Sequence, residues 1–260
     1  MQHEQIQFHA QQLHRALRDA APIAPLTGRV QDLGIEAAYA ISEALLQYRL
    51  DEGERIVGRK IGLTSAAVQK MLGVDQPDFG TLTDAMAYED GAAIALAGMI
   101  APRAEGEIAF ILGRDLQGPG ITAHDVLAAT ESLAACFEIV DSRIANWKIA
   151  IADTVADNAS ASAFVLGKAR VPVAGIDLGT CGMVVEKNGE VISTGAGAAA
   201  LGSPANCVAW LANTLGRFGI GLKAGDVILS GALVPLVDVA PGDAMRVRIS
   251  GIGSAQVTFT

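Results

Sequence analysis

The sequence predicts a mixed α/β chain, helical at its start and strand-rich afterwards. Ile6, Ala10, Leu13 and Leu17 recur at steps of four, three and four. Ala38, Ile41, Leu45 and Tyr48 recur at steps of three, four and three. Both spacings put apolar side chains on one helix face. From Arg55 onward, short apolar or alternating runs between Gly-rich turns take over, which is the pattern of strands.

The first helix is predicted over 2–20, ended by Pro22 and Pro25. The second covers about 35–52. Together they make a helical N-terminal subdomain, 1–54, ahead of a larger domain, 55–260. His3, His9 and His14 lack the spacing of a metal pair and read as surface residues. Residues 55–62 read as a strand, followed by Leu63-Thr64-Ser65 and a short helix with Ser65 or Thr64 as its N-cap. Residues 75–82 read as a turn-rich loop. Residues 103–112 form a strand, 123–133 a helix starting near Thr122, and the next strand carries Glu138. Residues 183–192 are a hairpin around Asn188-Gly189. Residues 203–217 are a helix with Pro204 in the first turn. Strands follow at 227–231, 245–249 and 255–259. Ala224-Gly225-Asp226 and Pro241-Gly242-Asp243 precede the first two and read as paired turns of one sheet.

With 260 residues, 51% of them hydrophobic, the chain can bury a sizeable core. A net charge of −9 argues against a polyanionic partner such as nucleic acid. No stretch reads as a membrane span, and the start, Met-Gln-His-Glu-Gln, carries no signal-peptide core. Cys136, Cys181 and Cys207 are odd in number and widely spaced, which fits reduced thiols in the cytoplasm. The Gly/Ala-rich stretch 195–202 lacks the strand–helix context of a dinucleotide fingerprint. No Gly-x-Ser-x-Gly elbow appears.

Strand alternation gives the candidate chemistry. In Arg103-Ala104-Glu105-Gly106-Glu107-Ile108-Ala109-Phe110-Ile111-Leu112, Ile108, Phe110 and Leu112 share one face, Glu105 and Glu107 the other. The two glutamates either line a solvated face or share a cation, since paired like charges are costly alone. Glu138, between Phe137 and Ile139, is out of place in a plain core and offers a third carboxylate. Three carboxylates describe a hard, oxygen-only site suited to Mg²⁺ or Mn²⁺. Lys60 shares its face with Gly58 and Gly62, so it is either a solvated charge or an ammonium that a ligand approaches closely. Asp78 is either a turn cap or a positioned acid/base. The polar stretch 153–160 is either a lining loop or an ordinary surface loop.

Several stretches together resemble a known family. They are Gly58-Arg59-Lys60-Ile61-Gly62-Leu63-Thr64-Ser65, Gln76-Pro77-Asp78-Phe79-Gly80, Arg103-Ala104-Glu105-Gly106-Glu107-Ile108-Ala109-Phe110, Glu138-Ile139-Val140-Asp141-Ser142-Arg143, Asp153-Thr154-Val155-Ala156-Asp157-Asn158-Ala159-Ser160 and Thr194-Gly195-Ala196-Gly197-Ala198-Ala199-Ala200-Leu201-Gly202. The chain resembles the 2-hydroxypenta-2,4-dienoate (2-oxopent-4-enoate) hydratases of aromatic meta-cleavage catabolism. These belong with the 4-oxalocrotonate decarboxylases in the fumarylacetoacetate hydrolase superfamily.

The resemblance implies a mixed α/β roll, a curled sheet around a metal site, with a helical N-terminal part. It implies that Glu105, Glu107 and Glu138 hold Mg²⁺ or Mn²⁺. Lys60 falls on the active-site lysine, Asp78 on the acid/base aspartate, and Ser160 near the substrate carboxylate. Leu63, Phe79 and Val234 fall beside the substrate. It further implies a homo-oligomer, and association with a decarboxylase or a downstream aldolase. The stretches 103–110 and 229–236 look like hydratases rather than decarboxylases. The alternatives are a 4-oxalocrotonate decarboxylase or its non-catalytic partner. Of the candidate cations near the site (Lys60, Arg59, Arg103, Arg143 and Lys148), Arg59 lies on the face opposite Lys60 and Arg143 is expected to serve Asp141. No spare cation is left for a second substrate carboxylate, so a monocarboxylate dienol is expected.

Overall fold

The structure is a computed structural model that describes residues 1–72 and 74–260. The chain opens with helices α1 (His3–Asp19) and α2 (Ile35–Asp51). Their apolar faces meet as the spacing requires, burying Ala10, Leu13, Ala38, Ile41 and Leu45. The same cluster takes in Ile144, Ala152, Val155 and Ala156 from later in the chain, so the pair packs on the body of the protein. His3 is exposed, but His9 and His14 are half-buried, a correction to their surface reading. His14 stacks on Tyr48, with ring centroids 5.0 Å apart, and its Nε2 lies 3.2 Å from Glu52.

The described strands form two sheets. In chain order they are β1 (Ile56–Gly62), β2 (Asp78–Thr83), β3 (Ala87–Glu89), β4 (Ala92–Ile94), β5 (Arg103–Leu112), β6 (Thr130–Val140), β7 (Ala161–Leu166), β8 (Gly182–Lys187), β9 (Glu190–Ala196), β10 (Val227–Leu229), β11 (Val237–Asp238), β12 (Ala244–Ile249) and β13 (Gly253–Phe259). The helices between them are α3 (Ala66–Leu72), α4 (Ala123–Ala129), α5 (Ile151–Ala156) and α6 (Pro204–Gly216). The larger sheet runs β2-β1-β10-β5-β6-β7-β3, with β11 also on β5. The smaller runs β4-β13-β12-β8-β9.

The two sheets pack face to face across the main core. Ile108, Phe110 and Leu112 of β5 and Phe137 and Ile139 of β6 meet Met183, Val185, Val247 and Val257 of the smaller sheet. Gly106 allows this closeness, since a Cβ there would lie 2.8 Å from Met183 Sδ. The opposite face of β5 and β6 is left for Glu105, Glu107 and Glu138. β1 and β6 are three strand spacings apart, about 14 Å on a flat sheet. The larger sheet curls, and Lys60 Nζ of β1 comes within 3.1 Å of Glu138 Oε1 of β6.

Four expectations change. Helix α4 stops at Ala129, and 130–133 already belong to β6, because Phe110 and Ile111 of β5 pair with Leu133 and Ser132. Thr122 caps α4 as expected, accepting from Asp125 N. The 75–82 loop is a strand from Asp78 onward, paired antiparallel with β1. The 153–160 stretch is mostly helical and buried throughout. The two Gly-Asp turns serve different sheets, since β10 joins the larger and β12 the smaller. A turn motif sets a local reversal and carries no information about the strand's partner. The Asn188-Gly189 hairpin is as read, with both residues at positive φ (54° and 88°), the type that a tight two-residue hairpin requires.

Candidate active site and metal centre

Antiparallel register puts Glu105 of β5 directly opposite Glu138 of β6. Glu107 lies two positions on, on the same face as Glu105. One oxygen from each of the three comes within 4.8 Å of the others. Glu107 and Glu138 are buried and Glu105 is half-buried. Glu107 Oε2 accepts from Gly231 N at 2.8 Å. Its Oε1 and Glu138 Oε2 have no hydrogen-bond partner among the described residues, and Glu138 Oε1 takes the Lys60 ammonium at 3.1 Å. Burial raises all three carboxyls above the ordinary range. Glu105 is pushed up to about 8, by burial and then by the Glu138 charge. Glu107 is raised by burial and by both neighbours, and Glu138 by burial against the pull of Lys60.

Convergent, buried, unpartnered carboxylate oxygens fit a divalent cation. Cys136 lies opposite Glu107, yet burial and the two glutamates push its thiol well up, which leaves the donor set oxygen-only.

Lys60 and Asp78 close the other side. The Lys60 ammonium, 3% exposed, donates to Ala159 O at 2.9 Å and pairs with Glu138. Burial alone would lower Lys60, but Glu138, Asp78, Glu105 and Glu107 outweigh it and hold the ammonium above its ordinary value. Asp78 opens β2 opposite Gly62 of β1. A Cβ at Gly62 would lie 2.3 Å from Asp78 Oδ1 and 3.5 Å from Lys60 Nζ, so glycine is required there. Thr154 Oγ1 of α5 donates to Asp78 Oδ2 at 3.4 Å, and Oδ1 has no partner among the described residues. Burial raises Asp78, against the Lys60 charge.

After α5 the chain makes a left-handed turn. Asn158, Ala159 and Ser160 have φ of 52°, 49° and 55°. That conformation costs roughly 1–2 kcal/mol per ordinary residue and has to be imposed from outside. The Asn158 side chain accepts from Thr81 N at 2.7 Å and donates to Thr81 O at 2.9 Å. Asp157 receives Ser142 Oγ, Arg143 N and the Arg143 guanidinium. Asp141 N donates to Ser160 O at 2.9 Å. Ser160 Oγ is buried without a partner among the described residues.

Arg143 therefore serves the carboxylate of Asp157, not that of Asp141, from which it takes only the backbone oxygen. The Asp141 carboxylate instead accepts from Ile100 N and Ala101 N. Arg103 pairs with Asp238 and lies over the Trp147 ring, and Lys148 is exposed. Leu63 follows β1 at positive φ (56°) and is half-buried. Phe79 alternates to the β2 face opposite Asp78 and stacks on Tyr39 of α2, ring centroids 4.3 Å apart. Val234 is buried in the main core.

Sequence reasoning missed Tyr39, Thr154, Asn158 and the Gly231 amide. Burial, then the Asp78 charge, pushes the Tyr39 phenol well above its ordinary value. Only the dense polar run at 153–160 hinted at two of these four.

Residues 59–260 match the family described as Fumarylacetoacetate (FAA) hydrolase C-terminal. The chain belongs to the fumarylacetoacetate hydrolase family. Within it, the chain is 57% identical to a 2-hydroxyhexa-2,4-dienoate hydratase of Comamonas testosteroni, over 98% of this chain and 97% of that protein. It is 62% identical to a 2-hydroxypent-2,4-dienoate hydratase of Pseudomonas putida, over 80% of this chain and 95% of the relative. Among solved structures, it superposes on the 4-oxalocrotonate decarboxylase from Pseudomonas putida G7, complexed with magnesium and adipate. The TM-score is 0.97 at 36% identity, covering 100% and 99% of the two chains. A more distant family fold, the fumarylpyruvate hydrolase from Pseudomonas aeruginosa, superposes with a TM-score of 0.64 at 16% identity. No helix among the described residues is long and apolar enough to cross a membrane.

Proposed function

We propose that this family member is a metal-dependent hydro-lyase. It adds water to 2-hydroxypenta-2,4-dienoate (2-oxopent-4-enoate) to give 4-hydroxy-2-oxopentanoate in the breakdown of aromatic compounds. The observation that carries this reading is the closed polar set of Glu105, Glu107, Glu138, Lys60 and Asp78. It occurs in a chain whose hydratase relative matches it over 98% of its length.

Glu105, Glu107 and Glu138 would hold the cation, Mg²⁺ or Mn²⁺ by the hardness of their oxygens. When bound, it supplies a Lewis acid toward the substrate's carboxylate and its 2-oxygen. Lys60 keeps a fixed positive charge beside the carboxylates, where negative charge develops on the substrate. Asp78, buried and with one oxygen free, moves the proton. A proton is lost from the 2-hydroxyl and one is gained at C5, giving the C3–C4 unsaturated 2-oxo acid. Water then adds its oxygen to C4 and a proton to C3. Ser160 Oγ, buried and without a partner among the described residues, would hold the substrate carboxylate, with Leu63 and Phe79 as the expected apolar neighbours.

Arg103 and Arg143 are engaged, and Lys148 is exposed. The substrate is therefore a monocarboxylate, unsubstituted or with a short alkyl tail. We take 1–54 as a helical subdomain and 55–260 as the catalytic domain. We also take the protein to be a cytoplasmic homo-oligomer that can associate with a decarboxylase or a downstream aldolase.

The second reading is 4-oxalocrotonate decarboxylase, or its non-catalytic partner, favoured by the TM-score of 0.97 to that enzyme. One assay separates them. The purified protein with Mg²⁺ or Mn²⁺ should deplete pentadienoate absorbance and form 4-hydroxy-2-oxopentanoate. Release of CO₂ from 2-oxo-3-hexenedioate without hydration would favour the decarboxylase. No turnover without a second chain would favour the partner.

A further inference from the structure

Ala159 and Ser160 stand in a conformation their own side chains do not favour, and Asn158 is the one residue of the three that tolerates it. Arg143 and Ser142 hold the start of the turn through Asp157, and Asp141 N holds its end. Both anchors belong to the segment that follows β6. The Asn158 amide alone among these side chains reaches β2, the strand that begins at Asp78. Gly80 admits it, since a Cβ there would lie 2.5 Å from Asn158 O. What the turn presents is Ala159 O to Lys60 Nζ, and next to it the unpartnered Ser160 hydroxyl.

We propose that Asn158 is a positioning residue. Its two bonds to Thr81 lock the turn to β2, so that Lys60, Ser160 and Asp78 keep one spacing. Misplacing a reacting group by about 1 Å can cost about 10² in rate, which is the scale on which such a lock acts.

For its activity arm the test rests on the hydratase reading. Kinetics on the pentadienoate would compare Mn²⁺-loaded wild type with Asn158→Ala, Asn158→Gly and Asn158→Asp, each normalised to Mn²⁺ sites counted by calorimetry. In the Ala and Gly variants kcat should fall at least about tenfold, with KM within about threefold. Mn²⁺ affinity should stay within about threefold of wild type, because Asn158 touches none of the three glutamates. Asn158→Asp keeps the acceptor for Thr81 N but sets a second acceptor oxygen against Thr81 O, so it should lose kcat as the Ala variant does. Gly adopts positive φ freely, so it separates the lock from the backbone conformation. Wild-type kcat in Asn158→Gly would overturn the proposal. So would a loss confined to KM, or one that vanishes on normalisation.

If the wild type itself fails to hydrate the pentadienoate, the hydratase reading falls and the lock is read in metal-free protein. The Thr81 amide should then exchange with solvent at least about tenfold faster in Asn158→Ala and Asn158→Gly. Unchanged exchange would overturn the proposal on its own.

Discussion

Glu105 and Glu138 face each other as a directly paired couple across two antiparallel strands. Two carboxylates so placed repel unless a proton or a cation lies between them. Glu105→Gln should therefore stabilise the metal-free protein above about pH 8, where Glu105 ionises, and abolish the rise in melting temperature on adding Mn²⁺. Mn²⁺ affinity should drop more than about 100-fold, beyond what outer-shell changes produce. Calorimetry and thermal melts with and without chelator check this. Full metal-dependent activity in the variant would remove Glu105 from the ligand set.

Metal binding should be coupled to proton release. Glu105 is pushed up to about 8, by burial and the Glu138 charge, and a ligating carboxylate must be ionised. Below pH 8 Mn²⁺ therefore displaces a proton, and affinity should rise with pH by up to about tenfold per unit per proton, levelling off above it. The sign for stability is opposite. A carboxyl raised from 4.5 to about 8 stabilises the fold while protonated, and that contribution is lost as pH rises through the folded value. The metal-free protein should lose this contribution between those pH values. Titration in two buffers of different ionisation heat gives the proton count, and a count of zero at pH 6.5 would contradict the assignment.

Asp78→Asn should lower kcat by about 10²–10⁴, the usual worth of a positioned proton-transfer group, and Lys60→Ala by about 10²–10³, the usual worth of a group aimed at developing negative charge. Mn²⁺ should still bind both variants, since neither residue is among the three converging glutamates. A kcat within about threefold of wild type would refute the role of the residue changed.

Gly62→Ala tests the geometry without replacing a charged group. The added methyl would sit 2.3 Å from Asp78 Oδ1, so the carboxylate must move. The expected result is a kcat loss of at least about tenfold with Mn²⁺ affinity unchanged. A crystal structure of the variant should show Asp78 displaced.

Much of this site was legible because strands alternate. Period two alone put Glu105 and Glu107 on one face and Lys60 with Gly58 and Gly62 on another, and the register of β5 on β6 agrees. What was not legible depends on contacts between distant segments. The left-handed turn at 158–160 is imposed by Arg143 and Thr81, and nothing in Asn-Ala-Ser announces it. Asp78 read as a loop residue because Pro77 and Gly80 are turn formers, whereas pairing with β1 makes it a strand. Tyr39 is not one of the α2 face residues Ala38, Ile41, Leu45 and Tyr48 that the spacing picks out, and only the packing of α2 on the body brings it to Phe79.

The curl that brings Lys60 to Glu138 also bears on how the protein is made. Glu107 meets the Gly231 amide across 124 positions of chain, and Lys60 meets Ala159 across 99. Contacts of such range form late, after most loop-closure entropy has been spent. A nascent chain released before β10 is in place would own all three glutamates and still lack the site. The cation then acts as a seal on finished molecules rather than a seed for folding, and it holds only those that have closed.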